Sequence, residues 1–177
     1  NPGEGNVISG NLGDGVTLAS VIGLIIQGNK MGTDISGLIA LPNSEKGIKL
    51  RDSTNAIIGG SNPGEGNILS NNDMGISVDN STHVVITKNI IGFLADGVTA
   101  AGNISFGVMV TGSDDIHIGS SNNADRNYIG NSGFAGIFLG NSGTDITLTK
   151  NNIGVGTDDA TAGPNAIGIV SFNTGSG

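Results

Sequence analysis

The chain has 177 residues, 15 acidic and 7 basic, for a formal charge of −8; 12% of residues are charged, 3% are aromatic, and cysteine and tryptophan are absent. That acidity argues against nucleic acid or an anionic membrane surface as a partner. The missing cysteines exclude a disulfide framework, and no apolar run approaches the ~18 residues that a membrane-spanning helix needs.

In chain order, the sequence opens on NPGEGN (1–6) and NVISGN (6–11), then reaches the tetrad GVTL at Gly15 and a short apolar run at 24–26. NKMGTD (29–34) and the loop-like GLIAL (37–41) precede a second tetrad at Gly47. NPGEGN then returns at 62–67, trailed by NILSNN (67–72), a tetrad at Gly75, HVVITKNIIG (83–92), GVTAAG (97–102) and a tetrad at Gly107. DIHIG (115–119), NNADRN (122–127) and YIGNS (128–132) form a degraded third copy, with tetrads at Gly136 and Gly168. The tetrads are spaced 32, 28, 32, 29 and 32 residues apart, so each unit of 60 to 61 residues is a long coil followed by a short one. Self-similarity at fixed spacing predicts one stacked, elongated domain over 1–177, with repeats 1–61, 62–121 and 122–177. The chain starts in mid-unit with no signal peptide pattern, as a mature product or a piece of a longer array would. Neither NPGEGN nor the final SFNTGSG resembles a solenoid cap, which points to a longer array or to ends that stack on something.

Three runs of four to six residues per coil, punctuated by Gly, Asn, Ser and Asp, predict an all-β solenoid of about six coils of three short strands. The 32 glycines, the 22 asparagines and the lack of a 3.6 period among helix formers exclude a helical fold. Alternation along each tetrad turns Val16, Ile48, Ile76, Val108, Ile137 and Ile169 inward, with Leu18, Leu50, Val78, Val110 and Leu139 as a second column. The middle runs add Leu24/Ile26, Ala56/Ile58, Val84/Ile86, Ile116/Ile118 and Ile146/Leu148. Parallel rungs ~4.8 Å apart make a rod roughly 29 Å long. Asn11, Asn43, Asn71, Asn103, Asn131 and Asn165 fall three to five residues before a tetrad glycine and predict a ladder of stacked amides at one turn. Ser53, Ser81, Ser113 and Ser142 predict a parallel column, with Ser20 one residue early.

The phrases GNVISGN (5–11), NKMGTD (29–34), NIIG (89–92) and NNIGVGTDDATAGPN (151–165) resemble those of right-handed parallel β-helix repeat proteins, over the whole chain. The resemblance implies a large secreted or surface-anchored bacterial protein, hence an extracellular or cell-surface location. The same fold class includes pectate lyases, polygalacturonases, phage tailspikes and adhesins, so it specifies fold far better than function.

Four surface constellations are candidates for chemistry. Asp114-Asp115, with His117 outward two residues on, resembles the paired carboxylates of polygalacturonase-like enzymes, but the G-H-G and R-x-K of that family are missing. Arg51 and Asp79 lie four residues after their tetrad glycines, one rung apart, near Lys49, Asp52, His83 and Lys88. Such a basic cluster would suit proton abstraction from a uronate, although an exposed cross-strand ion pair is the simpler expectation. Asp34, Asp96, Asp158 and Asp159 occupy the long loops, and carboxylates suit Ca²⁺. Loops of successive units should nevertheless stand ~10 Å apart, too far to share an ion, which leaves the Asp158-Asp159 loop as the weak calcium candidate. Finally, the outward tetrad column Thr17, Lys49, Ser77, Met109, Phe138, Val170 turns apolar in its second half, while Ile25, Ile57, Val85, His117, Thr147 runs the other way. Apolar residues facing water mark either a partner surface or cover by the chain's own loops; Met109, Phe138 and Val170 would be the anchors.

The reading that follows is a non-catalytic structural or adhesive solenoid segment, self-associating or stacking end to end. A polysaccharide-binding or polysaccharide-cleaving β-helix is the alternative. An ice-binding surface has only Thr87, Thr147 and Thr149 in its favour.

Overall fold

The computed structural model describes residues 5–141, 143 and 145–172; the predicted Ser142, the start of NPGEGN and most of SFNTGSG lie outside them. Each coil contributes three strands. The first holds β1 (Val7–Ile8), β2 (Val16–Ala19) and β3 (Ile25–Ile26), and the second β4 (Lys30–Met31), β5 (Lys46–Arg51) and β6 (Thr54–Gly59). The third holds β7 (Ile68–Leu69), β8 (Met74–Asp79) and β9 (Thr82–Thr87), and the fourth β10 (Ile90–Ile91), β11 (Phe106–Thr111) and β12 (Asp114–Gly119). Then come β13 (Tyr128–Ile129), β14 (Ala135–Gly140), β15 (Ile146–Thr149), β16 (Asn152–Ile153) and β17 (Ile167–Phe172), so five coils are complete and a sixth has two strands.

Every third strand pairs in parallel, giving sheet A (β1, β4, β7, β10, β13, β16), sheet B (β2, β5, β8, β11, β14, β17) and sheet C (β3, β6, β9, β12, β15). The chain is a parallel β-solenoid, as expected from the repeat. Register follows the tetrads: Val16, Ile48, Ile76, Val108, Ile137 and Ile169 stand in line. Ile48, Ile76, Val108 and Ile137 are fully buried, as are Leu50, Val78, Val110, Ile58, Ile86 and Ile118. Sheet A adds an inner column that the tetrads do not reveal: Met31, Leu69, Ile91 and Ile129. Ile169, on the edge strand β17, is 47% exposed although its position in the column is the same.

Polar ladders run along the turns. Asn11 donates through Nδ2 to Asn43 Oδ1 (2.7 Å), Asn43 to Asn72 (3.0 Å), and the backbone of Asn72 to Asn103 Oδ1 (3.1 Å). Asn72 and Ser132 therefore occupy the places predicted for Asn71 and Asn131; the Ser132 N–H donates to Asn165 Oδ1. The reason is backbone geometry. Asn71 and Asn131 adopt left-handed φ of 61° and 57°, which pushes the next residue into the ladder and sends their own amides to Gly32 O and Gly92 O. Between sheets C and A lies a second ladder, Asn6–Asn29–Asn67–Asn89–Asn127–Asn151, each Nδ2 donating to the Oδ1 of the next at 2.9–3.1 Å. The serine column forms at Ser53, Ser81 and Ser113, each Oγ accepting the N–H of the residue one coil earlier. Ser20 is left-handed (φ 56°), so the backbone of Val21 takes its place beneath Ser53.

The long loops are miniature hairpins closed by antiparallel bridges Thr33–Ala40, Phe93–Ala100 and Val155–Ala162. They do not stand apart as rung counting implies. Each reaches across the intervening short coil onto its predecessor, Ala95 N–H donating to Gly37 O and Thr157 N–H to Gly97 O, both at 2.9 Å. Phe93 opens the second loop and is wholly buried, its ring filling the space where Gly130 and Gly163 lack side chains. Phe93→Ala is expected to cost about 3–5 kcal/mol by cavity formation; a shift in the urea midpoint at constant m would measure it.

Candidate functional site

The second residue of four sheet C strands or strand approaches, Asn55, His83, Asp115 and Asp145, has φ between 50° and 63°. Among them His83 and Asp115 form the densest polar cluster on the outer face. Asp115 sits between two imidazoles: His83 Nε2 lies 3.1 Å from Oδ2 and His117 Nε2 3.0 Å from Oδ1. His117 Nδ1 meets Thr147 Oγ1 at 2.5 Å, and His83 Nδ1 meets Thr82 Oγ1 at 3.1 Å. An ionised carboxylate only accepts, so both Nε2 atoms carry protons and both Nδ1 atoms accept from a threonine hydroxyl when the rings are neutral. A relay of five side chains thus crosses three coils. Below it a groove of about 310 Å³ is lined by Asn55, Ile57, His83, Val85, Asp115 and His117.

Asp114 and Asp115 do not act on a common point. Asp115 turns to the histidines, whereas the Asp114 carboxyl lies against Gly143 of the next coil. Arg51 and Asp79 are in register, as expected, but the ion pair is redirected. Arg51 Nε pairs with Asp52 at 3.3 Å, while Asp79 accepts from Ser77 Oγ (2.9 Å) and from Thr111 Oγ1 one coil on. Lys49 Nζ stands 3.9 Å from Asp14, and Lys88 Nζ donates to Ser61 O at 2.7 Å.

No protein-family model, no curated protein and no solved structure matches the chain. Its chemistry must therefore be read from geometry alone.

The loop aspartates act as turn acceptors. Asp34 accepts from Leu38 and Ile39 N–H, Asp96 from Val98 and Thr99, and Asp158 from Ala160 and Thr161, all at 2.8–3.1 Å. Asp159 pairs instead with Arg126 Nη1 at 3.3 Å. Among the described residues no three His, Asp or Glu side chains are grouped as metal ligands. Hydroxyl donors, Ser36 to Asp34, Thr99 to Asp96 and Thr161 to Asp158, followed by backbone N–H groups, hold all three carboxyls below the ordinary range. A folded pKa below the unfolded one contributes stability that is present above the unfolded value and is lost as pH falls through the folded one. Acidification below about pH 4 should therefore loosen the loops first. The amide resonances of Leu38, Val98 and Ala160 would report it, and an unchanged loop down to pH 2 would count against this capping role.

On sheet B, Met109, Phe138 and Val170 face outward in register and half-buried, as predicted. They belong to a larger aromatic cluster that strand alternation alone did not reveal. Phe106 lies 5.3 Å from Phe134 and 5.0 Å from Phe138, and Phe138 lies 6.0 Å from Phe172, all edge-on or tilted. Such geometry favours mutual packing over a flat stacking platform. Phe134 and Phe172 remain 46% and 57% exposed.

Proposed function

We propose that the chain is a non-catalytic structural segment, a rigid spacer with an adhesive face in an extended extracellular or cell-surface assembly. The observation that supports this most is the continuous amide ladder from Asn6 to Asn151, which ties every coil to the next. A rod so linked resists bending and shear, since each coil contacts only its neighbours and each contact repeats. The absence of aligned carboxylates at Asp114–Asp115 and of an Arg51–Asp79 pair removes two catalytic readings from contention. Spin labels at Thr17→Cys and Val170→Cys, five rungs apart, should give a single narrow distance near 24 Å plus label length. A broad distribution would defeat the rigid-spacer reading.

The groove beside His83, Asp115 and His117 favours a second reading, polysaccharide binding or cleavage, with Ile57 and Val85 under a sugar face and the relay at its edge. Uronate-containing oligosaccharides titrated against the chain and against His83→Ala/His117→Ala separate the two. Saturable binding lost in the variant, or growth of unsaturated-uronate absorbance, would bring this reading forward.

A further inference from the structure

We infer that a second copy of this chain stacks head to tail on the first, its β1 and β2 seated on β16 and β17; this rests on the structural reading above. The loop column carries the argument. In the second and third loops, Ala95 and Thr157 are half-buried because each donates its N–H to the glycine carbonyl of the loop beneath, and Gly37 and Gly97 are buried in turn. At the column's two ends the same positions are open. Ile35, the equivalent of Ala95, is 79% exposed, and its N–H has no partner among the described residues. Asp159 takes the glycine position with a left-handed φ of 55°, is exposed, and presents its carbonyl likewise. A copy set on top brings Ile35 N–H to Asp159 C=O in the geometry that the internal pairs already use.

Phase and register agree. Coils alternate between those with a loop after the sheet A strand (β4, β10, β16) and those without (β1, β7, β13). The last described coil bears a loop and the first does not, so a second copy continues the alternation. Ile169 would face Val16 and Val170 would face Thr17, covering an inner-column isoleucine that is now 47% exposed, whereas its internal equivalents Ile76 and Ile137 are fully buried. The amide ladders would run on from Asn151 to Asn6 and from Asn165 to Asn11. Sheet C has five strands against six in the others, so sheets A and B and the loop column make the joint.

The chain has no cysteine, which makes a covalent test clean. Thr17→Cys and Val170→Cys fall at opposite ends of one molecule but would be neighbours across the joint, within the Cα range of a disulfide. Under mild oxidation the double variant is expected to give a reducible ladder of dimers, trimers and longer chains that lengthens with concentration. Adding Ile35→Asp, at an exposed position, should cut the multimer yield at least tenfold. Monomers alone at millimolar concentration, or dimers of Thr17→Cys by itself as abundant as those of the double variant, would overturn head-to-tail stacking. The narrow intramolecular label distance survives that failure, so the rod and its stacking are judged separately.

Discussion

Gly92→Ala is expected to destabilise the chain by more than about 4 kcal/mol, or to prevent folding, whereas Gly10→Ala should cost only about 1–2 kcal/mol. Both glycines are left-handed, at φ 80° and 74°, so both substitutions carry the steric cost of a Cβ in that region. They differ in what surrounds them. A Cβ on Gly92 would overlap Gly130 O in the next coil, and Gly32, Gly59 and Gly119 are placed the same way against Ser70 O, Thr87 O and Thr149 O. Rung spacing is fixed by the hydrogen bonds of three sheets and cannot open at one point without breaking several of them. Gly10 has nothing within 4 Å of its virtual Cβ. Urea titrations of the two variants would measure the gap; equal losses would mean that the coils flex far more than their ladders imply.

The other large effect is expected at Asn89. Its side chain is fully buried, donates to Ile58 O (2.9 Å), Thr87 O (3.0 Å) and Asn127 Oδ1 (3.1 Å), and accepts from the N–H and Nδ2 of Asn67. Asn89→Leu removes the partners of Asn67 and of Ile58 O deep in the turn without supplying others. Each orphaned buried group costs about 1–3 kcal/mol, so a total of about 3–6 kcal/mol follows, partly offset by the added apolar contact. Asn151→Leu, at the half-buried last rung, should cost under half as much. A loss at Asn89 below about 1 kcal/mol would show that the ladder is a by-product of stacking and not a source of its stability.

Those ladders mark where sequence reading succeeds and where it stops. The inner columns are legible because alternation and a 60-residue period are one-dimensional properties, and Ile76 lines up with Val108 by counting alone. The shift from Asn71 to Asn72 is not, since it depends on a left-handed residue that asparagine tolerates but does not announce. The second ladder was open to inspection, because an asparagine stands before each two-residue strand of sheet A, in NVI, NKM, NIL, NII, NYI and NNI. His83 and Asp115 could likewise have been paired by the rule that matched Arg51 with Asp79, as each lies eight residues after its tetrad glycine. Where that rule misleads, as for the ion pair at Arg51, the competing partners Asp52 and Thr111 are equally close and only geometry chooses between them.

Loop-on-loop contact also constrains how such a rod can change length over evolutionary time. Gly37 touches Ala95, and Gly97 touches Thr157, only because a loopless coil lies between each pair. Duplicating or deleting one coil would bring two loops onto adjacent rungs, or leave a gap two coils deep, and either event would strand Phe93 without its glycines. Gain or loss of two coils together leaves every neighbour unchanged. Heritable variation in length should therefore come in steps of about 60 residues, and single-coil variants should be selected against even though one coil is the smaller geometric repeat.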